Sequence, residues 1–347
     1  MARQNFTSNS LYMPDESGLH KRTWMAFVAN DYIWSHKQIP EVKRNLALIA
    51  NTIAQYEPVS ILVSKDDLPK AQQLLNIGNS NFEIALHLLE IDDLWLRDTA
   101  PTFVKSINGK KIAIDFNFNG WGNKQEHSLD KHIARYIANK SGATLEKANI
   151  VLEGGCFEVD GNGTAIMTES CILNRNRNPG WSKKDIEEEL NKLLGLRKII
   201  WLKGRKGMDI TDGHTDFYAR FVKPGEVIAS RDNYRLSYDY EVTRENIDIL
   251  SNSVDADGKP LNLRIIDTPE IVNESFDSKD FAAGYIGYYA CNGAIIAQKF
   301  GDQKADNRAK AALQSAYPDR KIEQITIDGV ASGGGSIHCS TQQEIIV

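Results

Sequence analysis

Short β-prone runs alternate along the chain with stretches whose apolar residues recur at helical spacing. Residues 23–28 form a β-prone run, residues 39–56 have helical spacing, and residues 59–63 are again β-prone. The alternation continues with helical spacing at residues 68–75 and a strand-like run at residues 82–91. Runs of β-branched and aromatic residues predict strands, whereas apolar residues three or four positions apart predict helices. The chain is therefore predicted to have an α/β fold.

A longer unit, a β-hairpin followed by a helix and a further strand, is repeated after residue 92. Its hairpin turns are predicted at Asn108-Gly109, at residues 160–163, at residues 223–225 and at Asn292-Gly293. Its helices are predicted at residues 129–139, 182–194, 242–251 and 304–317, and its closing strands at residues 148–152, 198–202, 261–266 and 321–327. An Asn-Gly pair is expected to form a type I′ turn, in which both central residues have positive φ. Turns spaced by roughly 50 to 70 residues are typical of a radial or solenoid repeat.

The two ends of the chain supply the parts of one more unit. Residues 337–347 are predicted to form a strand without a hairpin partner, and residues 23–28 begin a strand, helix and strand that lack a first hairpin arm. Pairing the two terminal strands completes a fifth unit and covers an apolar strand edge at each end. We therefore predict a single domain over residues 1–347, a closed ring of five units whose loops converge on one central site. A generic mixed α/β sheet is the alternative.

Composition and charge narrow the choice of partners. The 347 residues are 41% hydrophobic, which is sufficient for a full core. A formal net charge of −5 argues against a nucleic-acid partner, which normally selects a basic surface, and favours cationic ligands. The beginning of the chain lacks the apolar segment of a secretory signal. The apolar stretch at residues 281–300 is interrupted by glycines and an Asn-Gly turn, so no membrane partner is expected.

The cysteines bear on location and on metals. Cys156, Cys171, Cys291 and Cys339 show neither a CxxC metal spacing nor a dense disulfide pattern. This favours a reducing, cytoplasmic location. We predict no metal and no cofactor, and the sequence leaves open whether the chain forms a homo-oligomer.

The sequence G-G-G-S-I-H-C at residues 333–339 is the strongest candidate for a nucleophile loop. Three glycines permit positive φ and close backbone approach, and they lead into a β-prone run that carries Cys339. This is a way to present a thiol. A flexible tail with a buried cysteine is the alternative, because free cysteine is among the most buried residue types.

Three upstream motifs place carboxylates and a histidine at turns. Asp98 lies between an arginine and a proline-ended turn, and Glu153 follows an apolar strand and precedes two glycines. His214 and Asp216 are two residues apart in D-G-H-T-D, so on a strand they would face the same side. Each motif alone also fits a structural salt bridge, a simple turn or a buried pair.

Together these residue types suit nucleophilic attack on a planar cation. Carboxylates bind a guanidinium in a bidentate manner, cysteine attacks its central carbon, and histidine transfers protons. A cationic substrate beside Cys339 would also favour its thiolate. His338 is the poorer candidate for the partner of Cys339, because neighbouring residues on a strand point to opposite faces.

The combined motifs resemble those of the agmatine deiminase and Porphyromonas-type peptidylarginine deiminase family of guanidine-modifying penteins, over nearly the whole chain. W-L-R-D-T-A-P at residues 95–101, E-G-G at 153–155, D-G-H-T-D at 212–216 and G-G-G-S-I-H-C at 333–339 follow the family's order. R-N-R-N-P at residues 175–179 is also similar to a family stretch. The resemblance implies an α/β fold of the pentein type, a five-bladed pseudosymmetric propeller with its active site at the central channel.

The resemblance also implies roles for individual residues. It implies a catalytic cysteine at Cys339, a general acid and base at His214, and guanidinium-binding carboxylates at the matching acidic positions. The residues that it places at the catalytic and substrate-binding site are Cys339, His214, Glu153, Asp98, Asp216 and Trp95. The implied activity is hydrolysis of agmatine to N-carbamoylputrescine and ammonia.

Three departures from the family pattern affect the substrate assignment. Glu16 and His20 stand in E-S-G-L-H where the family usually has E-W-x-x-H, and residues 209–212 read D-I-T-D where many members have D-T-N. Cys156 stands where serine or asparagine is common. The alternatives are therefore a deiminase of free or peptidyl arginine, an amidinotransferase, or a non-catalytic binder of cationic metabolites. A metallohydrolase is disfavoured because HExxH and clustered CxxC are missing.

Overall fold

The chain alternates between strands and helices from one end to the other. The computed structural model describes residues 11–273, 275–276 and 280–347. Strands within these ranges are β1 Leu11–Tyr12, β2 His20–Phe27, β3 Val59–Val63, β4 Ile84–Leu88, β5 Thr102–Ser106, β6 Lys111–Asp115, β7 Thr144–Lys147, β8 Phe157–Val159, β9 Thr164–Thr168, β10 Lys198–Leu202, β11 Ala219–Lys223, β12 Glu226–Arg231, β13 Asn262–Asp267, β14 Tyr289–Cys291, β15 Ala294–Gln298, β16 Lys321–Ile325 and β17 Thr341–Ile345. Helices are α1 Ile39–Ile53, α2 Leu68–Leu74, α3 Leu96–Thr99, α4 Gly120–Asn123, α5 Ile133–Ser141, α6 Glu169–Ile172, α7 Lys183–Leu194, α8 Asp239–Ser251, α9 Gln303–Ala316 and α10 Asp328–Ala331. Short 3₁₀ turns lie at Asp130–His132, Gly154–Cys156 and Thr215–Phe217.

The described strands form five sheets with one common plan. In each sheet an antiparallel strand pair is followed by a helix and then by a strand parallel to the second strand of the pair; the pair is a hairpin in four sheets and joins the chain ends in the fifth. The five sets are β5–β6–β7, β8–β9–β10, β11–β12–β13, β14–β15–β16 and β17–β2–β3, with β1 and β4 added to the first and last. The predicted repeat of hairpin, helix and strand is therefore confirmed, and it is compatible with a five-bladed α/β propeller.

The fifth sheet joins the two ends of the chain. Strand β17 runs antiparallel to β2, with Thr341 opposite Met25 and Gln342 opposite Trp24. The Trp24 Nε1 donates a hydrogen bond to Glu344 Oε2 at 3.0 Å. The predicted pairing of the terminal strands is confirmed, and it places β2 between β17 and β3.

Helix α7 illustrates how the sequence specifies the crossover helices. Ser182 and Asp185 form a reciprocal capping box at its start, and Gly195 ends it with a φ of 70°. Ile186 and Leu190 are buried on the same face, as expected for residues four apart. No helix in the described part of the chain is both long and apolar enough to cross a membrane.

The strand predicted at residues 148–152 is wrong. The ladder strand that follows α5 is β7, which ends at Lys147. Beyond it, the side chain of Asn117 donates hydrogen bonds to the carbonyls of Ala148 and Ile150 at 2.9 and 3.0 Å. Ala148, Ile150 and Leu152 are buried as in a strand, but the Asn117 side chain binds carbonyls that a neighbouring strand would otherwise bind.

Two further local predictions need correction. Of the pair Asn108-Gly109 only Gly109 has positive φ, at 75°. The loop is longer than a two-residue hairpin, since β5 ends at Ser106 and β6 begins at Lys111, and longer loops are built on other turn types. The terminal strand begins only at Thr341, because the residues just before it form a turn.

Candidate active site

The loops that connect the strands hold the residues singled out in the sequence. Asp98 lies in α3, Glu153 directly precedes one 3₁₀ turn, and His214 directly precedes another that contains Asp216. Cys339 lies two residues before β17. Each of these five residues is at most 7% exposed. Together they form a buried cluster.

The expectation that His214 and Asp216 share one face of a strand is wrong, because both lie at a 3₁₀ turn. Gly155 brings them together instead. A Cβ on Gly155 would lie 2.4 Å from His214 Nδ1 and 3.2 Å from Asp216 Oδ2. The second glycine of E-G-G is therefore required by the close approach of two candidate site residues to the backbone.

Cys339 is surrounded by an alcohol and carboxylates. Its Sγ lies 3.3 Å from Ser336 Oγ and 3.7 Å from Asp216 Oδ2, and its carbonyl accepts a hydrogen bond from the Arg97 amide at 3.0 Å. Burial raises the pKa of the Cys339 thiol, and the carboxylates of Asp216 and Asp98 raise it further. A cation placed among these groups would counteract both carboxylates and favour the thiolate.

His214 lies between two carboxylates. Its Nε2 is 3.2 Å from Glu153 Oε2, and its Nδ1 is 3.8 Å from Asp98 Oδ2. Burial by itself would lower the pKa of His214. The Asp98 charge and hydrogen bonds to Cys171 and Glu153 outweigh burial, and the pKa of His214 lies well above its usual value. The imidazole is thus held in its protonated form.

Glu153 is engaged by an internal guanidinium. Arg177 Nε donates to both of its carboxylate oxygens, at 2.8 and 3.0 Å, and Glu153 is fully buried. Burial would raise the pKa of Glu153, but Arg177 and His214 lower it to about 2. Arg177 comes from the R-N-R-N-P stretch, and it also pairs with Asp212 at 2.9 Å.

Asp98 and Asp216 differ from Glu153 because neither pairs with an arginine in the structure described. Asp98 accepts hydrogen bonds from the Gly155 amide at 3.0 Å and from Trp121 Nε1 at 2.9 Å. Asp216 Oδ2 is 2.7 Å from His338 Nδ1, while its Oδ1 is buried and has no hydrogen-bond partner among the described residues. Burial raises the pKa of Asp98. Burial would also raise the pKa of Asp216, but the hydrogen bond and charge of His338 lower it.

The placement of His338 contradicts the expectation that it points away from the site. Residues 337–340 form a turn, so strand alternation does not apply to them. His338 Nδ1 contacts Asp216, and its Nε2 lies 2.8 Å from Glu16 Oε2. Glu16 in turn pairs with Arg97 at 3.0 Å and with Arg220 at 2.9 Å. Sequence reasoning missed this buried network because its members lie up to 322 positions apart.

Two tryptophan rings pack against the glycines that precede Cys339. A Cβ on Gly335 would lie 2.2 Å from the Trp95 ring, and one on Gly333 would lie 2.2 Å from the Trp34 ring. The two ring centroids are 6.3 Å apart. Among the three glycines only Gly334 has positive φ. Gly333 and Gly335 are required because a side chain at either position would collide with a tryptophan ring.

One group of side chains in the described ranges has the geometry to hold a metal ion. It consists of Glu153, Cys156, Cys171 and His214, whose ligand atoms all lie within 4.8 Å of one another. Cys156 and Cys171 are free and fully buried. This group overlaps the candidate active site through Glu153 and His214.

The fold places the chain in the pentein class. The solved structure of the agmatine deiminase of Enterococcus faecalis superposes with a TM-score of 0.88 at 29% identity, covering 99% of each chain. The chain belongs to the Porphyromonas-type peptidyl-arginine deiminase family, whose sequence profile matches residues 12–344. The resemblance found in the sequence is thereby confirmed.

Curated relatives match over almost the same span. A Legionella pneumophila protein named "Putative agmatine deiminase" is 36% identical, covering 96% of this chain and 94% of its own. A Streptomyces avermitilis protein of the same name is 34% identical, covering 96% of both chains. The chain therefore corresponds to nearly the full length of these relatives.

Proposed function

We propose that this protein hydrolyses agmatine to N-carbamoylputrescine and ammonia through a covalent intermediate on Cys339. One observation carries the proposal. The buried Asp216 Oδ1 has no hydrogen-bond partner among the described residues, and the other oxygen of the same carboxylate lies 3.7 Å from Cys339 Sγ. A buried carboxylate oxygen without a partner is costly, and a guanidinium would satisfy it beside the nucleophile.

Asp98 and Asp216 are proposed to bind the substrate guanidinium. Both are buried, and neither is paired with an arginine among the contacts of the site. Trp95 is proposed to line the pocket, since its ring packs against Gly335 four residues before Cys339. The cation then offsets the two negative charges that raise the pKa of the Cys339 thiol, so substrate binding itself promotes thiolate formation.

The reaction follows from these positions. The bound cation lets the Cys339 thiol release its proton to solvent, and the thiolate sulfur bonds to the guanidinium carbon. The resulting tetrahedral adduct expels ammonia after protonation by His214. Water then adds to the amidino carbon and gives a proton back to His214. Collapse of the second adduct breaks the carbon–sulfur bond and leaves the ureido product and a free thiol.

Glu153 is proposed to position His214 rather than to contact substrate. Arg177 Nε occupies both carboxylate oxygens, and the same carboxylate faces His214 Nε2. This differs from the role implied by the family resemblance, in which Glu153 binds the guanidinium. A carboxylate held in this way favours the imidazolium form of His214 and fixes the ring.

The buried arginines favour a substrate without an α-carboxylate. Arg97, Arg177 and Arg220 are each already paired with a carboxylate of the protein. None is left over as an obvious partner for the carboxylate of free arginine. The assignment of agmatine as the substrate also agrees with the names of the relatives.

The test is ammonia release from agmatine, free arginine and a peptidyl-arginine ester measured side by side. We expect the highest kcat/KM for agmatine. A kcat/KM for arginine equal to or above that for agmatine would overturn the substrate and leave the chemistry standing. Product formation that requires an added amine would indicate an amidinotransferase, and binding of agmatine without ammonia release would indicate a binding protein. A cytoplasmic location is proposed because all four cysteines are free.

A further inference from the structure

Two cysteines that take no part in the proposed reaction lie against the His214–Glu153 pair. Cys156 Sγ is 2.8 Å from Glu153 Oε2 and 3.0 Å from Cys171 Sγ. Cys171 Sγ is 3.7 Å, and His214 Nε2 is 3.2 Å, from the same carboxylate oxygen. Two sulfurs, an imidazole nitrogen and a carboxylate oxygen are thus gathered in one fully buried cluster.

The spacing of these four atoms approaches that of a tetrahedral metal site. Bonds of about 2.3 Å to sulfur and about 2.0–2.1 Å to nitrogen or oxygen place neighbouring ligand atoms roughly 3.3–3.8 Å apart in a tetrahedron. Four of the six separations, 2.8, 3.0, 3.2 and 3.7 Å, lie within about 1 Å of these edges, and the two between His214 and the sulfurs are within 4.8 Å. Small side-chain rotations would therefore admit an ion at the centre.

The groups behind the four donors also suit a bound cation. Asp98 Oδ2 lies 3.8 Å from His214 Nδ1, on the side of the ring away from the cluster. Arg177 Nε holds both oxygens of Glu153. In metal sites a ligating histidine usually has a carboxylate near its other ring nitrogen. A ligating carboxylate is usually held by a hydrogen-bond donor. Two thiolates, one carboxylate and a divalent ion sum to one negative charge, which Arg177 offsets.

We propose that Cys156, Cys171, His214 and Glu153 bind one thiophilic divalent cation of the Zn²⁺ class. Thiolate and imidazole ligands select Zn²⁺ or Co²⁺ over Mg²⁺ and Ca²⁺. Each thiol and the His214 imidazolium lose a proton on binding, so the apparent affinity rises with pH. An ion on Nε2 prevents His214 from forming the imidazolium that protonates the leaving ammonia, and it thereby inhibits the enzyme. Only this inhibitory consequence rests on the proposed function.

The binding test uses Co²⁺ as a spectroscopic probe in the full-length Cys339→Ser variant, so that the candidate nucleophile cannot serve as a ligand. Reduced protein is titrated in the folded state and is also refolded in the presence of Co²⁺, because the cluster is buried. We expect one Co²⁺ per chain, visible absorption of tetrahedral coordination, and displacement by Zn²⁺. Adding Cys156→Ser or Cys171→Ser should weaken binding at least tenfold, whereas adding Cys291→Ser, another buried cysteine, should not change it.

X-ray absorption of the zinc-loaded wild-type chain counts the ligands without any substitution. We expect two sulfur and two nitrogen or oxygen ligands. No bound ion by either loading route, another sulfur count, or an unchanged Co²⁺ affinity in the Cys156→Ser/Cys171→Ser variant overturns the site. The site is also overturned if Cys156 and Cys171 are found as a disulfide and the reduced protein then binds no ion.

Ammonia release separates this inference from the proposed function. In an active enzyme, Zn²⁺ loading should lower ammonia release from agmatine at least tenfold, and a chelator should restore it. Undiminished activity of the zinc-loaded chain overturns the inhibitory role. A chain that binds Co²⁺ as expected but releases no ammonia from any guanidinium substrate overturns the proposed function and leaves the metal site intact.

Discussion

At the scale of single residues, three buried carboxylates of the site differ in what already binds them. Glu153 is held by Arg177, whereas Asp98 and Asp216 accept only neutral donors or an imidazole. The charge of Arg177 already offsets that of Glu153, so a substrate guanidinium gains more beside Asp98 and Asp216 than beside Glu153. The roles of these carboxylates are therefore assigned by their hydrogen-bond and ion-pair partners and not by residue type alone.

Cys339→Ser should abolish turnover and preserve the fold. A hydroxyl at its ordinary pKa is a far weaker nucleophile than a thiolate, so we expect kcat to fall on the order of 10⁴-fold or more. Ammonia release and thermal unfolding measure the two effects. A haloacetamidine should label Cys339 and spare Cys156, Cys171 and Cys291, which have no place in the proposed reaction. Equal labelling of all four would contradict a nucleophile selected by the substrate site.

Glu153→Gln should destabilise the protein in a pH-dependent way. The pKa of Glu153 is lowered from 4.5 to about 2 in the folded chain. A lowered carboxyl pKa contributes stability that is present above the unfolded value and is lost as pH falls through the folded value. At pH 7 the shift corresponds to about 3 kcal/mol, because one pKa unit is about 1.4 kcal/mol.

The measurement for this variant is urea unfolding at a series of pH values. The difference in unfolding free energy between wild type and Glu153→Gln should be largest at pH 7 and should shrink as pH falls below about 4.5 toward 2. Glu188→Gln is the control, since Glu188 forms only an exposed pair with Lys184. A difference independent of pH would mean that the lost carboxylate charge is not the cause.

At the scale of elements, the 3₁₀ turns act as supports for the site. Gly155→Ala should reduce activity much more than stability, because the added Cβ lies 2.4 Å from His214 Nδ1 and 3.2 Å from Asp216 Oδ2. A displacement of about 1 Å can cost on the order of a hundredfold in rate. Gly284→Ala is the matched control, since no atom lies within 4 Å of its Cβ position. Equal activity of the two variants would contradict this role of Gly155.

The start of α7 offers a test of stability that leaves the site untouched. The Ser182 hydroxyl oxygen accepts a hydrogen bond from the Asp185 amide, and the Ser182 amide donates one to the Asp185 carboxylate. Ser182→Ala should cost about 1 kcal/mol of unfolding free energy, the usual value of an N-cap side chain. Urea unfolding measures the loss, and ammonia release should stay at the wild-type level. A change in activity larger than the change in stability would mean that α7 influences the site.

At the scale of the whole molecule, the fold depends on pairing its two ends. Deletion of residues 1–30 removes β2, the partner of both β17 and β3. We expect the truncated chain to be insoluble or to lack cooperative unfolding, because β17 then exposes an unpaired edge beside Cys339. Deletion of residues 346–347 is the control, since it leaves β17 intact. A soluble truncation that unfolds cooperatively would contradict the closed ring.

The sequence by itself determined most of the elements, their order and the candidate side chains. Apolar periodicity is a local property, so the five repeated units and the pairing of the terminal strands could be predicted from it. The motifs around Asp98, His214 and Cys339 could be found because glycines, proline and reactive residues stand together along the chain. The assignment of one domain to residues 1–347 stays a prediction.

The tertiary structure decided how those side chains are paired. Glu16 and His338 are in contact although they lie 322 positions apart in the sequence, and Arg177 and Glu153 are 24 positions apart. Neither contact therefore produces a pattern in the local sequence around either residue. The apolar run at 148–152 resembled a strand because burial gives the same composition whether a strand or Asn117 satisfies the backbone. Cys156 and Cys171 likewise lack metal spacing in the sequence, because only folding brings their sulfurs together. Contacts between distant segments depend on the packing of the whole chain, and local periodicity carries no information on them.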